Sequence, residues 1–190
     1  MLTPGIAASY ASGVEEFGSA AEVLARSAEA TGPNTCAAAL FGTRAETFLA
    51  SETLQQEIFG SSSLVVRCRD LKQVREVTAE LEGQLTATVH AADSDLDDAR
   101  VLLEALELKA GQILFNGWPT GVEVGHAMVH GGPYPSTSDS RSTSVGSLAI
   151  ERFLRPVAYQ DVPTTLLPDP IADGNPEQIW RRVDGELIRD

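Results

Sequence analysis

Residues 62–116 read SSLVVRCRDLKQVREVTAELEGQLTATVHAADSDLDDARVLLEALELKAGQILFN, and in them strand and helix patterns alternate. Leu64-Val65-Val66 is a short continuous apolar run, as expected of a strand covered on both faces. Asp70 stands where a helix needs an N-cap, with Gln73 three residues on in a capping-box arrangement. Leu71, Val74, Val77, Thr78 and Leu81 share one helical face, and Gly83 offers a left-handed stop. Residues 84–90 then alternate, with Leu85, Ala87 and Val89 on one side and Thr86, Thr88 and His90 on the other, which predicts a strand with one face less deeply buried. Asp93 or Ser94 caps a second helix that runs to about Lys109, striped by Leu96, Ala99, Leu102, Leu103 and Leu106. Lys109 in its last turn suits the helix dipole, and Gly111 follows. Ile113-Leu114-Phe115 is a further buried strand. Strands joined through helices of this length need crossover connections, so the expected fold class is α/β, a mainly parallel sheet with flanking helices.

Downstream, residues 116–143 gather glycines and prolines, ending in a run rich in Ser and Thr. A loop this long inside a domain is usually functional or disordered. It leaves the C-terminal end of a strand, the edge where open α/β sheets bind ligands, so a functional loop is expected. Residues 144–153 resume a helical pattern. Residues 154–159 read as a strand despite Pro156, which places it at an edge or a strand start. The remaining residues look like a surface tail in which Asn175-Pro176-Glu177 opens a last short helix. Upstream, an alanine-rich helix is expected over residues 4–17 and a short strand around Val23-Leu24. The domain division expected is 1–153 and 154–190.

With 190 residues, 43% of them hydrophobic, the chain suffices for one domain with a proper core. A formal net charge of −13 makes a nucleic-acid partner unexpected, since such a surface repels phosphates. No apolar run approaches the ~20 residues of a membrane-spanning helix, and the first residues lack a basic start and an apolar core, so no secretory signal is expected and a cytoplasmic location is. Cys36 and Cys68 each sit in an apolar run and read as buried structural thiols. No His/Cys grouping has zinc-ligand spacing, so no metal is expected.

Three segments carry a resemblance. Glu57-Ile58-Phe59-Gly60 looks like a Glu-x-Phe-Gly-Pro motif, with Ser61 standing in place of the proline. Gly111-Gln-Ile-Leu-Phe-Asn116 is similar to a strand ending in Asn before an aldehyde-entry loop. Gly131-Gly132, followed by Thr143-Ser144-Val145-Gly146 and a helical segment into Phe153, resembles a Gly-Gly, Ser-Gly-x-Gly and C-terminal helix series. Together and in this order they resemble the aldehyde dehydrogenase superfamily. Residues 116–124, 128–135 and 152–157 look most like its α-ketoglutaric semialdehyde (2,5-dioxopentanoate) dehydrogenases, with the chain matching the C-terminal part of the catalytic domain.

The resemblance implies NAD or NADP as cofactor in the intact enzyme and an aldehyde as substrate. It implies that Glu57 accepts hydrogen bonds from the nicotinamide ribose hydroxyls and that Phe59 packs beside the nicotinamide. A carboxylate offers two acceptor oxygens to a diol, and a flat apolar ring orients another. Trp118 and Thr120 open the loop where the family places its aldehyde pocket. The family's nucleophilic cysteine and base glutamate precede the matched region, and neither Cys36 nor Cys68 lies in that cysteine motif, so no catalytic residue is carried over. His126 and His130 read as loop structure, and Arg141 either as a solvated arginine or as a fork for a substrate carboxylate. Three readings stay open: a fragment inactive alone, one half of a split enzyme completed by an upstream half, or a non-catalytic interaction module that assembles with a full-length paralogue. A homo-oligomer joined through residues 154–160 is expected by the same resemblance.

Overall fold

The computed structural model describes residues 1–29, 31–119 and 121–189. They divide into two units, Met1–Arg152 and Phe153–Asp190.

In the first unit, helix α1 (Pro4–Ala20) starts on Thr3, whose hydroxyl accepts the Ile6 N–H at 3.2 Å, with Pro4 in the first turn where no N–H is needed. Tyr10, Val14 and Phe17, spaced i, i+4 and i+7, form its buried stripe. Strand β1 (Glu22–Arg26) pairs antiparallel with β2 (Ala39–Arg44), which pairs parallel with β3 (Ser62–Arg67). The crossover from β2 to β3 carries two short helices, α2 (Ala45–Leu49) and α3 (Glu52–Gln55). Phe41 at the centre of β2 has no exposed surface and meets Phe17 edge to face, with ring centroids 5.6 Å apart. Phe48 and Leu54 close the same core.

Helix α4 (Leu71–Glu80), β4 (Gln84–Val89), α5 (Leu96–Leu106) and β5 (Ala110–Phe115) follow where the alternating pattern puts them. Strands β4 and β5 form a parallel two-stranded sheet, backed by a second apolar cluster of Val89, Ala99 and Leu106. The fold is therefore α/β: β2–β3 and β4–β5 pair parallel across helical crossovers, while α4 leads from β3 in the first sheet to β4 in the second.

Several local expectations are corrected. Strand β3 is covered on one face only: Leu64 and Val66 pack toward the first core while Val65 stays 42% exposed. The capping glutamine is displaced by one position. Asp70 accepts the Gln73 N–H at 2.9 Å, but the Gln73 side-chain oxygen takes the N–H of Arg69, and its Nε2 donates to Glu46 of α2 at 2.8 Å. This side chain is buried because one amide satisfies two elements at once.

Gly83 is not a left-handed stop; α4 ends in an extended Leu81. Gly83 is needed for close approach instead: its N–H donates to the Tyr134 carbonyl, and a Cβ there would collide with the carbonyl oxygen of Pro133. Lys109 lies beyond the end of α5 and caps the preceding helix, its Nζ donating at 2.7 Å to the carbonyls of Ala79 and Leu81. Cys36 and Cys68 are free and half-buried.

Residues 116–146 contain no regular element among those described, and the segment ties to itself. Thr143, buried, accepts the His130 N–H at 2.8 Å and donates to the Val145 carbonyl at 2.7 Å; Ser147 N–H reaches Gly125. Only its first residues stand at the C-terminal end of the sheet. Gly131 to Tyr134 run beside Gly83, Gln84 and Gly111, at the opposite end of β4 and β5. The helical pattern after Ser144 becomes a 3-10 stretch over Ser147–Phe153 with no buried residue, so no core holds it as an α-helix.

In the second unit, residues 154–160 have no ladder partner among the described residues, and Pro156 supplies no N–H. The helix expected at Asn175 is absent. Asn175 takes a left-handed backbone (φ 46) and its buried side chain accepts the Ile179 N–H while donating to the carbonyls of Ile179 and Arg189. That knot supports an antiparallel hairpin, β6 (Arg181–Val183) and β7 (Glu186–Ile188), turned on Asp184 and Gly185, both at positive φ. The Asp-Gly pair between two short runs was the available signal for it.

Candidate functional site: the cleft beside helix α1

The Glu57-Ile58-Phe59-Gly60 segment follows α3 and leads into β3. Ile58 turns inward, partly buried, against Gly13 of α1, while its neighbours Glu57 and Phe59 turn out. A Cβ on Gly60 would strike the Tyr10 ring, so glycine lets the segment lie flat on α1. Tyr10 anchors the entry to β3: its hydroxyl donates to the carbonyls of Ala37 at 2.7 Å and Ser61 at 3.0 Å. Burial pushes this phenol above its ordinary value. Ser61, in the place of the motif's proline, also accepts the Ala39 N–H at 3.0 Å, so its carbonyl is fixed from two sides.

The result is a cleft of about 510 Å³ between α1 and residues 53–59. Thr3, Ser9 and Glu16 line one wall, and Gln56, Glu57 and Phe59 the other. Phe59 is 68% exposed and Glu57 is exposed, so an open carboxylate stands two residues from an open aromatic ring. Such a pair can accept two hydroxyl donors and offer a flat apolar face.

Trp118 lines none of this cleft. It stands 77% exposed at the C-terminal end of β4 and β5, its ring tilted against His90 with centroids 4.9 Å apart. Thr120 lies outside the described residues. Arg141 pairs with Asp139 two residues away at 3.1 Å and is otherwise solvated. That hydrogen-bonded neighbour holds the Asp139 carboxyl below the usual range. His126 is exposed, and the backbone of His130 belongs to the loop's own hydrogen bonding. Among the described residues no group of three His, Cys, Asp or Glu gathers to hold a metal, and no helix is long and apolar enough to cross a membrane. Sequence reasoning missed Tyr10, Ile58 and His90; the i, i+4, i+7 stripe of α1 was the only signal pointing to the first.

No protein-family model matches the chain. Over 188 residues, 98% of its length, it is 50% identical to alpha-ketoglutaric semialdehyde dehydrogenase 2 of Azospirillum brasilense, of which it spans 36%. Over 136 residues, 72% of its length, it is 57% identical to alpha-ketoglutaric semialdehyde dehydrogenase of Acinetobacter baylyi, of which it spans 26%. The chain thus spans about a third or less of these relatives. Among solved structures, apo betaine aldehyde dehydrogenase from Staphylococcus aureus superposes with a TM-score of 0.61 over 80% of this chain and 29% of that one, at 13% identity. Aldehyde dehydrogenase 21 from Physcomitrella patens, in complex with succinate, gives 0.56 over 72% and 26%, at 18% identity. A 1-pyrroline-5-carboxylate dehydrogenase from Thermus with bound NAD gives 0.52 over 65% and 23%, at 22% identity. In sequence and in fold, this chain belongs to the aldehyde dehydrogenase superfamily, as a segment similar to part of the alpha-ketoglutaric semialdehyde dehydrogenases.

Proposed function

We infer that the chain is the C-terminal part of an NAD(P)-dependent dehydrogenase that oxidises a semialdehyde of the 2,5-dioxopentanoate type to the carboxylate, and that these 190 residues do not turn over alone. The observation that carries this reading is 50% identity over 98% of the chain to an enzyme of that name. Neither half-buried cysteine lies in the cleft beside Glu57 and Phe59, which supports the absence of a nucleophile from this part.

In the intact enzyme Glu57 binds the nicotinamide ribose through its carboxylate, and Phe59 orients the nicotinamide by its ring face. The chemistry such a cofactor supplies is acceptance of hydride from the aldehyde carbon. To Trp118 and Thr120 this reading assigns the lining of the aldehyde entrance. The exposed apolar side chains of residues 154–160 support pairing with a second subunit, and a cytoplasmic location accords with this reading. Light scattering that finds only monomer at high concentration removes the subunit pairing.

The test is a chimera in which this chain replaces the matching third of the Azospirillum enzyme. The expected result is NAD(P)H formation from 2,5-dioxopentanoate by the chimera and none by the isolated chain. A folded, inactive chimera refutes the assignment, and steady NAD(P)H formation by the isolated chain, abolished by alkylating Cys36 or Cys68, refutes its dependence on the rest.

A further inference from the structure

Asn116 ends the pairing of β5 with β4 through three hydrogen bonds. Its N–H donates to the Val89 carbonyl at 2.9 Å. Its Oδ1 accepts the Ala91 N–H, and its Nδ2 donates to the Ala91 carbonyl, both at 2.9 Å. The last backbone pair of the sheet is Val89 with Phe115, so the Asn116 side chain adds one more rung to the parallel ladder. The same residue turns the chain, at a left-handed φ of 50. Two positions later Trp118 rests on His90, the residue between the two that Asn116 grips.

We propose that Asn116 is a positioning residue, whose paired hydrogen bonds to Ala91 fix the exit of the loop and thereby set Trp118 against His90. The side-chain chemistry is specific. Ala91 presents one donor and one acceptor, which an amide satisfies together, whereas an ionised Asp has acceptors only. Gln carries the amide one methylene too far, and Asn is among the few residues with side chains that readily take a left-handed backbone. Trp118 is 77% exposed, so its contact with His90 needs the loop exit to bring the indole there. The direction in which the chain leaves Asn116 decides where the indole goes. Its use as a wall of an aldehyde entrance rests on the function proposed above; the placement itself does not.

The experiment is NMR of the whole chain, reading the ring protons of His90, with the methyl signals of Val89 and Ile113 as a report on the core. W118A is expected to remove the ring-current displacement of the His90 protons. N116A and N116D are expected to remove it as well while leaving the core methyls in place. The proposal is overturned if W118A leaves His90 unmoved, or if His90 resonates as in the parent chain in either Asn116 variant. It is equally overturned if the core methyls collapse in both variants, because Asn116 then holds the sheet and not the loop. Failure of the chimera with these shifts intact sinks the dehydrogenase reading alone.

Discussion

The ammonium of Lys109 donates at 2.7 Å to the carbonyl oxygen of Leu81, twenty-eight positions earlier, and at the same distance to that of Ala79. It thus satisfies carbonyls that the end of α4 leaves open, while its own backbone carbonyl accepts the Gln84 N–H at the start of β4. One residue joins the end of a helix to the sheet beyond it. Replacing it tests that joint. K109M should lose about 1 kcal/mol, the ordinary scale for a partly solvated charged hydrogen bond, and K109R should keep most of the stability. Urea unfolding measures both; equal stability of K109M and the parent chain would remove Lys109 from the joint.

Gly83 meets the Pro133 carbonyl too closely for any side chain. G83A should therefore cost about 1–3 kcal/mol through displacement of the loop backbone. Thermal unfolding reads the loss, and hydrogen exchange should quicken at Gly83, whose N–H is bonded to Tyr134. An unchanged Tm would mean that the loop does not lie on the strand ends in solution.

The Glu46 carboxyl is held below its ordinary range, first by the Gln73 side chain and then by its own backbone N–H, with Arg69 and Arg44 adding to it. Because the folded value is depressed, this contribution is present above the unfolded carboxylate value and disappears as pH falls through the folded one. E46Q should accordingly show a shallower loss of stability in acid than the parent chain. Q73M should be less stable at neutral pH by about 1–2 kcal/mol, since the Arg69 N–H loses its acceptor. Unfolding midpoints collected from neutral to acidic pH decide both, and identical acid slopes in E46Q and the parent would contradict the first.

Burial raises the Cys68 thiol above its usual value, and the nearby carboxylates of Glu46 and Asp70 add to the effect. Only the thiolate reacts with iodoacetamide, so Cys68 in the folded chain should reach its half-maximal alkylation rate at a higher pH than in the urea-unfolded chain. Peptide mapping after timed quenching follows the site. Coincident profiles would show that folding does not shield this thiol.

Asn175 holds the carbonyls of Ile179 and Arg189 from inside the second unit. N175A should open the β6–β7 hairpin, with loss of about 1–3 kcal/mol locally from groups left without partners. Limited proteolysis is expected to cut near Asp184 in the variant before the parent. Protection equal to that of the parent would assign the hairpin's order to its own two strands.

Much of the first unit was legible because its pattern is local. The stripe from Leu71 to Leu81 and that from Leu96 to Leu106 repeat at helical spacing, and β4 alternates at a period of two. Strand β2 was not legible. It is buried on both faces, and Gly42 and Thr43 interrupt its apolar run, so neither template fits it. Within the site, Glu57 and Phe59 were visible only through a motif. That Ile58 faces in and its neighbours face out depends on Tyr10 and Gly13, more than forty residues earlier in the chain.

By itself the sequence determined the α/β alternation, the Asp70 cap of α4, and the kinship with aldehyde dehydrogenases, since periodicity, capping residues and motif order act over short distances. Tertiary structure alone decided which carbonyls Lys109 satisfies, why Gly83 must be glycine, and how Asn116 ties Ala91. Each of these brings a residue onto a backbone group 25 to 50 residues away. Backbone N–H and C=O groups are the same in every residue, so a spacing of side chains carries no mark of which distant pair will meet.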